Sequence, residues 1–518
     1  MTQRSIRPAL LTALVAVALT GCSLAPTYVR PEAPVPGQYP NASAQPQTSP
    51  QAAAAADLGW RQFFRDPQLL ALIDVALNNN RDLRIAVDRV AEARALYGIQ
   101  QSDQFPTIGA GANASLQSMP PQLRAGGSSA PSVSRVYQAG VGITAFELDL
   151  FGRVRNLTEA AYQQYLASEQ ARRTVHLSLV AQVAEAYFRL RSSEELRKLT
   201  EQTLQSRQNS YDLIKLRFEE GVAGSLDYYQ AKSQLDQTRA DLQQTRRNEQ
   251  LAQNALLLLL GDSPRNLPKS APFGHDQLLA QIPVGLPSDL LERRPDIIGA
   301  EDNLLAANAN IGAARAAFFP NISLTGMLGF ASNAMGGLFT GSNRFWSFTP
   351  QLTTPIFGGG VSGNLDLAKA RKNIAVSQYE KTIQAAFREV ADALAGEATY
   401  ASQLDALRDL ENSAAESLRI ARLRYDNGID SFLQVQTAEI TLYNAQQAFL
   451  QTGLNSLLNR VELYKALGGG WNADTIKADN GSNGPAKNDS APNDTAKPGD
   501  TTMPSGQQTG MPAKEGGA

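Results

Sequence analysis

The chain repeats itself once, and the repeat limits what it can fold into. RFEEGVAGSLDYYQA at 217–231 returns as RYDNGIDSFLQVQTA at 424–438, with Arg217 over Arg424, Gly221 over Gly428, Leu226 over Leu433 and Ala231 over Ala438, an offset of 207. The same offset lays VAEA (183–186) on VADA (390–393) and Leu-Gly at 260–261 on Leu-Gly at 467–468. Upstream, QFPTI (104–108) lies over FFPNI (318–322), and Asp82 over Asp296, at an offset of 214. Solenoid repeats recur every roughly 20–50 residues. A period this long instead marks two copies of one domain-sized plan, placed at 58–270 and 285–471.

Each copy opens with a helical pattern, over 68–101 and 288–316, stopped by Pro106 and Pro320. The period then falls to two. Ile108, Ala110, Ala112, Ala114 and Leu116 alternate with Thr107, Asn113, Ser115, Gln117 and glycines. Tyr137, Ala139, Val141 and Ile143 alternate likewise, as do Ile322, Leu324, Leu328 and Phe330, and then Trp346, Phe348 and Leu352. Four strands are predicted, two per copy, joined by Gly/Ser/Pro/Asn-rich loops at 118–135 and 332–344 that face solvent. After each pair comes a proline-free helical stretch, 154–219 and 362–427. At 1.5 Å per residue each would run about 95–100 Å. Such a helix needs equally long neighbours. Val180, Val183, Tyr187 and Leu190 form one apolar strip and Leu177, Ala181, Ala184 and Phe188 an adjacent one, which suits a helix flanked on both sides in a ring. Gly221 and Gly428 turn the chain into return helices at 225–260 and 431–467.

Four strands cannot close a membrane barrel, since known barrels begin at about eight. If the strands face lipid, the barrel is shared. Two chains give eight strands and a filled interior. Three give twelve and a lumen lined by glycine and small polar residues.

The N-terminus supplies a second constraint. Arg4 and Arg7 precede LLTALVAVALTG, the form of a secretory signal (1–21) and too short to span a bilayer. Cys22 is the only cysteine. LTGC at 19–22 resembles a bacterial lipobox, so Cys22 is expected to carry a diacylglycerol on sulfur and an acyl chain on its freed amine. One acyl chain anchors weakly and two or more stably. Ser23 rather than Asp follows, a pattern that resembles outer membrane sorting. Residues 22–57, rich in Pro, Ala, Gln and Ser, read as a flexible tether, and 472–518 as a disordered tail too polar to bury a core.

Composition removes other classes. A single cysteine excludes an internal disulfide, and a net charge of −2 argues against a nucleic-acid surface. His176 and His275 stand far apart with no cysteine nearby, so neither a metal site nor a catalytic triad is expected. Gly358–Gly360 lacks the strand-to-helix setting of a phosphate loop. No enzyme and no cofactor beyond the lipid are expected, and past the signal no apolar run reaches the ~18 residues of a transmembrane helix.

LTGC at 19–22, ELDLFGRVRN at 147–156, SQYEKTIQAAFREVADAL at 377–394, the two tip motifs and NRVELYKALGGGW at 459–471 occur in the order found in one family. Over about 57–471 the chain resembles the outer membrane factors of Gram-negative tripartite efflux systems, the TolC and OprM family, in its lipidated OprM-like branch. The resemblance implies a mainly α, internally duplicated homotrimer: a 12-stranded β-barrel in the outer membrane continued by a 12-helix periplasmic α-barrel. It implies a passive exit duct, fed by an inner membrane pump of the RND type through a periplasmic adaptor. Alternatives are a duct for type I protein secretion or metal export, and a non-channel coiled-coil lipoprotein scaffold. The resemblance places a periplasmic gate at the tips, on Arg217, Asp227, Arg424, Tyr425, Asp426 and Asp430, with Asp430 as an acidic ring and ion pairs between neighbouring tips. Gln434 and Thr437 stand where TolC has a pair of aspartates. The turns GVAGS and GIDSF, through Gly221, Val222, Ser225, Gly428, Ile429 and Ser431, are the expected adaptor contacts, glycine allowing close approach.

Overall fold

The computed structural model describes residues 23–39, 58–118, 120, 122, 133–264, 267–274, 277–279 and 290–469. The expected signal peptide, Cys22 and the tail from 472 lie outside the described residues. A short turn, α1 (Trp60–Phe63), leads to α2 (Pro67–Asn79), α3 (Arg81–Ser102), β1 (Ile108–Ser118), β2 (Val133–Glu147), α4 (Arg153–Glu219) and α5 (Ser225–Leu260). The second copy runs α6 (Leu290–Arg293), α7 (Pro295–Ala316), β3 (Asn321–Ser332), β4 (Arg344–Thr353), α8 (Gly359–Asp426) and α9 (Phe432–Ala466).

The opening helix of each copy is broken where its sequence pattern predicts continuity. Asn80 leaves helical geometry at ψ 133° and caps α3 by accepting from Leu83 N. Its amide also donates to Leu259 O, tying the break to the end of α5. In the second copy Pro295 holds the preceding Arg294 in extended geometry. The Arg294 guanidinium is buried against Asp296, Glu389 and Ala466 O.

The strands form one antiparallel sheet in the order β1-β2-β3-β4. Register sorts the side chains as the alternation predicts. Ala110, Val141, Leu328 and Trp346 form one row across the sheet, and Ile108, Ile143, Gly326 and Phe348 the next. The opposite face carries Asn113 and Gln138, then Gly111, Gly140 and Gly329. A Cβ on Gly140 would lie 2.6 Å from Leu328 O, and one on Gly329 2.2 Å from Ala139 O. Glycine there permits the strands to close on that face. β1 and β4 are open edges, with no partner among the described residues.

The motif ELDLFGRVRN builds the corner from sheet to helix. Gly152 takes φ 75° before α4. Glu147 receives the Arg153 guanidinium, and Asp149 accepts from Arg155 N at 2.9 Å. Asn156 donates back to Gly152 O at 2.6 Å. From this corner α4, with 67 residues, runs about 100 Å to the far tip, and α8 matches it with 68.

Both predicted strips of α4 are buried at mid-length. Val180, Ala181, Val183, Ala184, Tyr187 and Phe188 pack with Trp60, Phe63, Leu69, Ile73 and Tyr464 into the largest core, and Leu177 is buried as well. Tyr187 donates to buried Asp66 at 2.6 Å, and Asp66 caps α2. A second core joins Ile297 and Leu304 of α7 to Tyr379, Ile383 and Val390 of α8 and Leu463 of α9.

Residues 23–39, expected to hang as part of a loose tether, form an extended strap along α7. Arg315 donates to Leu24 O, Asn308 to Pro26 O, and Tyr28 and Arg30 to Glu301. The three α7 contacts are spaced by seven residues, two turns of one helix face. A Cβ on Gly312 would meet Ala25 N at 2.8 Å, so glycine admits the strap. Tyr39, buried, stacks on Phe387 of α8 at 5.1 Å. Composition suggested a tether; the few aromatic and charged residues within it are what fix it.

Candidate functional site

The two helical hairpins end at the pole opposite the sheet. Each turn is made the same way. Gly221 adopts φ 75° and donates to Phe218 O, and Val222 donates to Arg217 O. Gly428 adopts φ 71° and donates to Tyr425 O, and Ile429 donates to Arg424 O. This is the Schellman stop, in which a left-handed residue closes the helix and satisfies its last carbonyls. The apolar residue after each glycine usually folds back on the helix. Here Val222 stays 77% and Ile429 62% exposed. Ser225 is the first residue of α5, and Ser431 precedes α9 without a side-chain capping bond. All six expected adaptor-contact residues therefore lie on the two turns.

The charged residues divide. Arg424 grips Asp430 across the second turn, Nε to Oδ2 at 2.6 Å and Nη2 to Oδ1 at 3.1 Å. The guanidinium holds the Asp430 carboxyl below the usual carboxylate range. Within one chain, Asp430 is thus paired across its own turn by Arg424. Arg217 reaches from the first hairpin to the second, its guanidinium 5.1 Å from the Tyr425 ring. Tyr425 in turn packs edge-on against Phe432 at 5.6 Å. Asp426 is exposed at the last residue of α8, and Asp227 sits in the first turn of α5, where the helix dipole favours a negative charge. Ile214, Ala231, Leu418, Phe432 and Val435 form a small core that fixes the hairpins side by side.

Just above lies a polar layer that the sequence pattern does not reveal. Arg422 of α8 donates to Glu439 of α9 at 2.7 Å and to Ser206 of α4 at 2.9 Å. Glu439 is only 9% exposed. Buried Arg207 donates to Thr238 and lies 5.4 Å from the Tyr443 ring, and Tyr443 and Thr200 share a hydrogen bond of 3.0 Å. Thr200, Arg207 and Ile214 share a seam at seven-residue spacing, the one sequence signal that places Arg207 inside.

A sheet with one apolar face joined to helical hairpins of this length, with charged turns at the far end, is the plan of an outer membrane channel protein that extends into the periplasm. The chain belongs to the outer membrane efflux protein family, whose model matches residues 72–262 and 286–469, the two copies. It is 48% identical over 468 residues to the antibiotic efflux pump outer membrane protein ArpC of Pseudomonas putida, covering 90% of this chain and 96% of that one. The toluene efflux pump outer membrane protein TtgC of Pseudomonas putida is equally similar, 48% identical over 468 residues with 90% and 96% covered. The open state of the MtrE outer membrane channel of Neisseria gonorrhoeae superposes with a TM-score of 0.78 at 39% identity, over 88% of this chain and 100% of that one. The TolC-like fold expected from the sequence is the fold found, and the family is one of channels, not of enzymes.

Proposed function

We propose that three copies of the chain close a twelve-stranded barrel and a twelve-helix periplasmic duct through which drugs and other small organic molecules leave the cell. The observation that carries this is the open sheet. Unpaired strand edges are not tolerated in lipid, and the apolar rows of β1–β4 need lipid beside them. A like demand comes from α3, where Ile85, Val87, Leu96 and Ile99 stay exposed in one chain. The names of the relatives support antibiotics and solvents as cargo. Energy comes from an inner membrane RND pump, coupled through a periplasmic adaptor that seats on Val222 and Ile429 beside Gly221, Ser225, Gly428 and Ser431.

The tips act as a gate. Arg424–Asp430 stiffens the second turn, Arg217 on Tyr425 latches the two hairpins, and the carboxylates of Asp426 and Asp227 supply negative charge at the mouth. Each contact is weak, as suits a closure that an adaptor must open. Cys22 carries the lipid. Ser23 donates to Asn156 at 3.0 Å, at the corner where sheet becomes helix. In this reading that corner lies at the inner boundary of the membrane, within reach of acyl chains.

The test is a deletion strain challenged with a drug panel, with and without the pump encoded beside it. Restored resistance that requires the pump supports the reading; resistance indifferent to the chain refutes it. Purified protein should form channels in planar bilayers, and Cys22→Ser should still do so with weakened membrane retention. A monomer that stays water-soluble without its acyl groups would overturn the account.

A further inference from the structure

We propose that the outward end of the sheet binds a phosphorylated, acylated glycolipid of the outer leaflet, with Arg344 on a headgroup phosphate and the groove beside Phe330 and Phe339 holding an acyl chain. The inference rests on the channel reading above, which sets these strands in the membrane with their loops outward.

Charge comes first. From Gln104 to Phe146 and from Ala317 to Leu365 the sequence holds no Asp, Glu or Lys, but three arginines: Arg124, Arg135 and Arg344. The whole chain has a net charge of −2, so this end alone is purely cationic. Arg124 lies outside the described residues. The other two sit in register on the apolar face, Arg344 across from Phe330 and Arg135 across from Leu116. Neither has an ion pair among the described residues. A guanidinium set among lipid-facing side chains needs an anion within reach of its flexible stem. Phosphate suits it, because the planar fork donates two parallel hydrogen bonds.

Shape comes second. The connection from β3 to β4 folds back so that Phe339 meets Phe330 edge-on, with ring centroids 5.6 Å apart. With Ala139, Val141 and Leu328 they line an open groove of about 490 Å³ with Arg344 at its rim. Tyr137 and Trp346 share the face, as aromatic residues do at a membrane interface. An apolar groove ending at a cation fits an amphiphile with an anionic head. The outward position selects the class, since the outer leaflet of this membrane is built from glycolipids carrying several phosphates and acyl chains.

The experiment uses the full-length channel, exchanged into detergent to strip lipid and then titrated with a purified bisphosphorylated, hexa-acylated glycolipid, with retained lipid counted by native mass spectrometry. Parallel arms use the same glycolipid without phosphates, phosphatidylglycerol and inorganic phosphate. The bisphosphorylated glycolipid should be retained, and R344Q should weaken it by about tenfold or more, the range of a charge-assisted contact. R344K should fall between, and F339A should weaken the phosphorylated and dephosphorylated glycolipids alike. Equal retention by R344Q, or displacement by phosphatidylglycerol or inorganic phosphate as effective as by the glycolipid, would overturn the proposal. Single-channel conductance separates the two levels: a wild-type protein that forms no channel defeats the channel reading, whereas normal channels with no glycolipid retention defeat only this site.

Discussion

Arg217 and Arg424 hold the same position in two copies of one hairpin and do different work. Both sit four residues before the turn glycine, and their carbonyls accept from Val222 and Ile429 in the same way. Their side chains part because the residues around them do. Asp430 lies across the second turn, and Ala223 holds its place in the first. Arg424 therefore closes on its own tip, while Arg217, with no carboxylate there, crosses to the Tyr425 ring. One pair in the polar layer above is equally one-sided. Arg422 and Glu439 correspond to Lys215 and Lys232, which pair only along their own helices, to Glu219 and Asp236. The duplicated backbone needs both turns alike; at this pair of positions only the second copy links its two helices, while the first copy links its own elsewhere, through Arg207 to Thr238 and Arg197 to Glu249.

The severest way to break the comparison is to remove what the copies share. Gly221→Trp and Gly428→Trp force a bulky residue into left-handed backbone, at a strain of about 1–2 kcal/mol, and fill the surface the adaptor needs. Both should abolish efflux in the deletion strain while trimers are still recovered. Resistance at wild-type level in either would remove the turns from the docking surface.

Next is what they do not share. Arg424→Ala and Asp430→Ala should each loosen the second tip and raise single-channel conductance on the order of twofold, with Arg217→Ala raising it less. Unchanged conductance in planar bilayers for all three would take the gate away from these residues. A larger rise for Arg217→Ala would make the cross-hairpin latch, not the turn, the main closure.

The division between shared and unshared parts also explains what is legible in the sequence. Strand faces, helix lengths and turn glycines follow local rules, with periods of two and 3.6 and a left-handed stop. Those rules alone put Ala110, Val141, Leu328 and Trp346 on one face and Gly428 at a tip. Arg422, Glu439 and Ser206 come together from three helices, and no local period encodes that meeting. The strap misleads for the opposite reason. Its composition is that of a linker, and only Tyr28, Arg30 and Tyr39 betray that it docks.

The polar layer gives a smaller prediction. Glu439→Ala leaves Arg422 without its carboxylate but still able to reach solvent, so thermal stability should fall by about 1 kcal/mol, well short of the cost of orphaning a fully buried charge. The matching change Lys232→Ala, on the exposed surface of the first copy, should do nothing measurable. Equal losses would show that both hairpins are braced alike and that the asymmetry is only apparent in the charges.

The faintest effect concerns the opening helices, where the comparison sharpens once more. Asp88 in α3 and Asp302 in α7 are matched by the 214 offset. Asp88 is exposed, whereas Asp302, next to Glu301, is 8% exposed with one carboxylate oxygen lacking a partner among the described residues. Burial, aided by the neighbouring Glu301 charge, pushes the Asp302 carboxyl up to about 6. A folded state that holds its proton more tightly than the unfolded chain is favoured in acid, and that advantage is lost as pH rises from about 4 through 6. Asp302→Asn removes the ionisation. It should therefore stabilise the protein by about 1–2 kcal/mol at pH 8, read as a higher melting temperature, and make no difference at pH 4. Asp88→Asn should be neutral at both. If Asp302→Asn shifts the melting temperature equally at the two pH values, the buried carboxyl carries no ionisation penalty, and the two halves differ there only in packing.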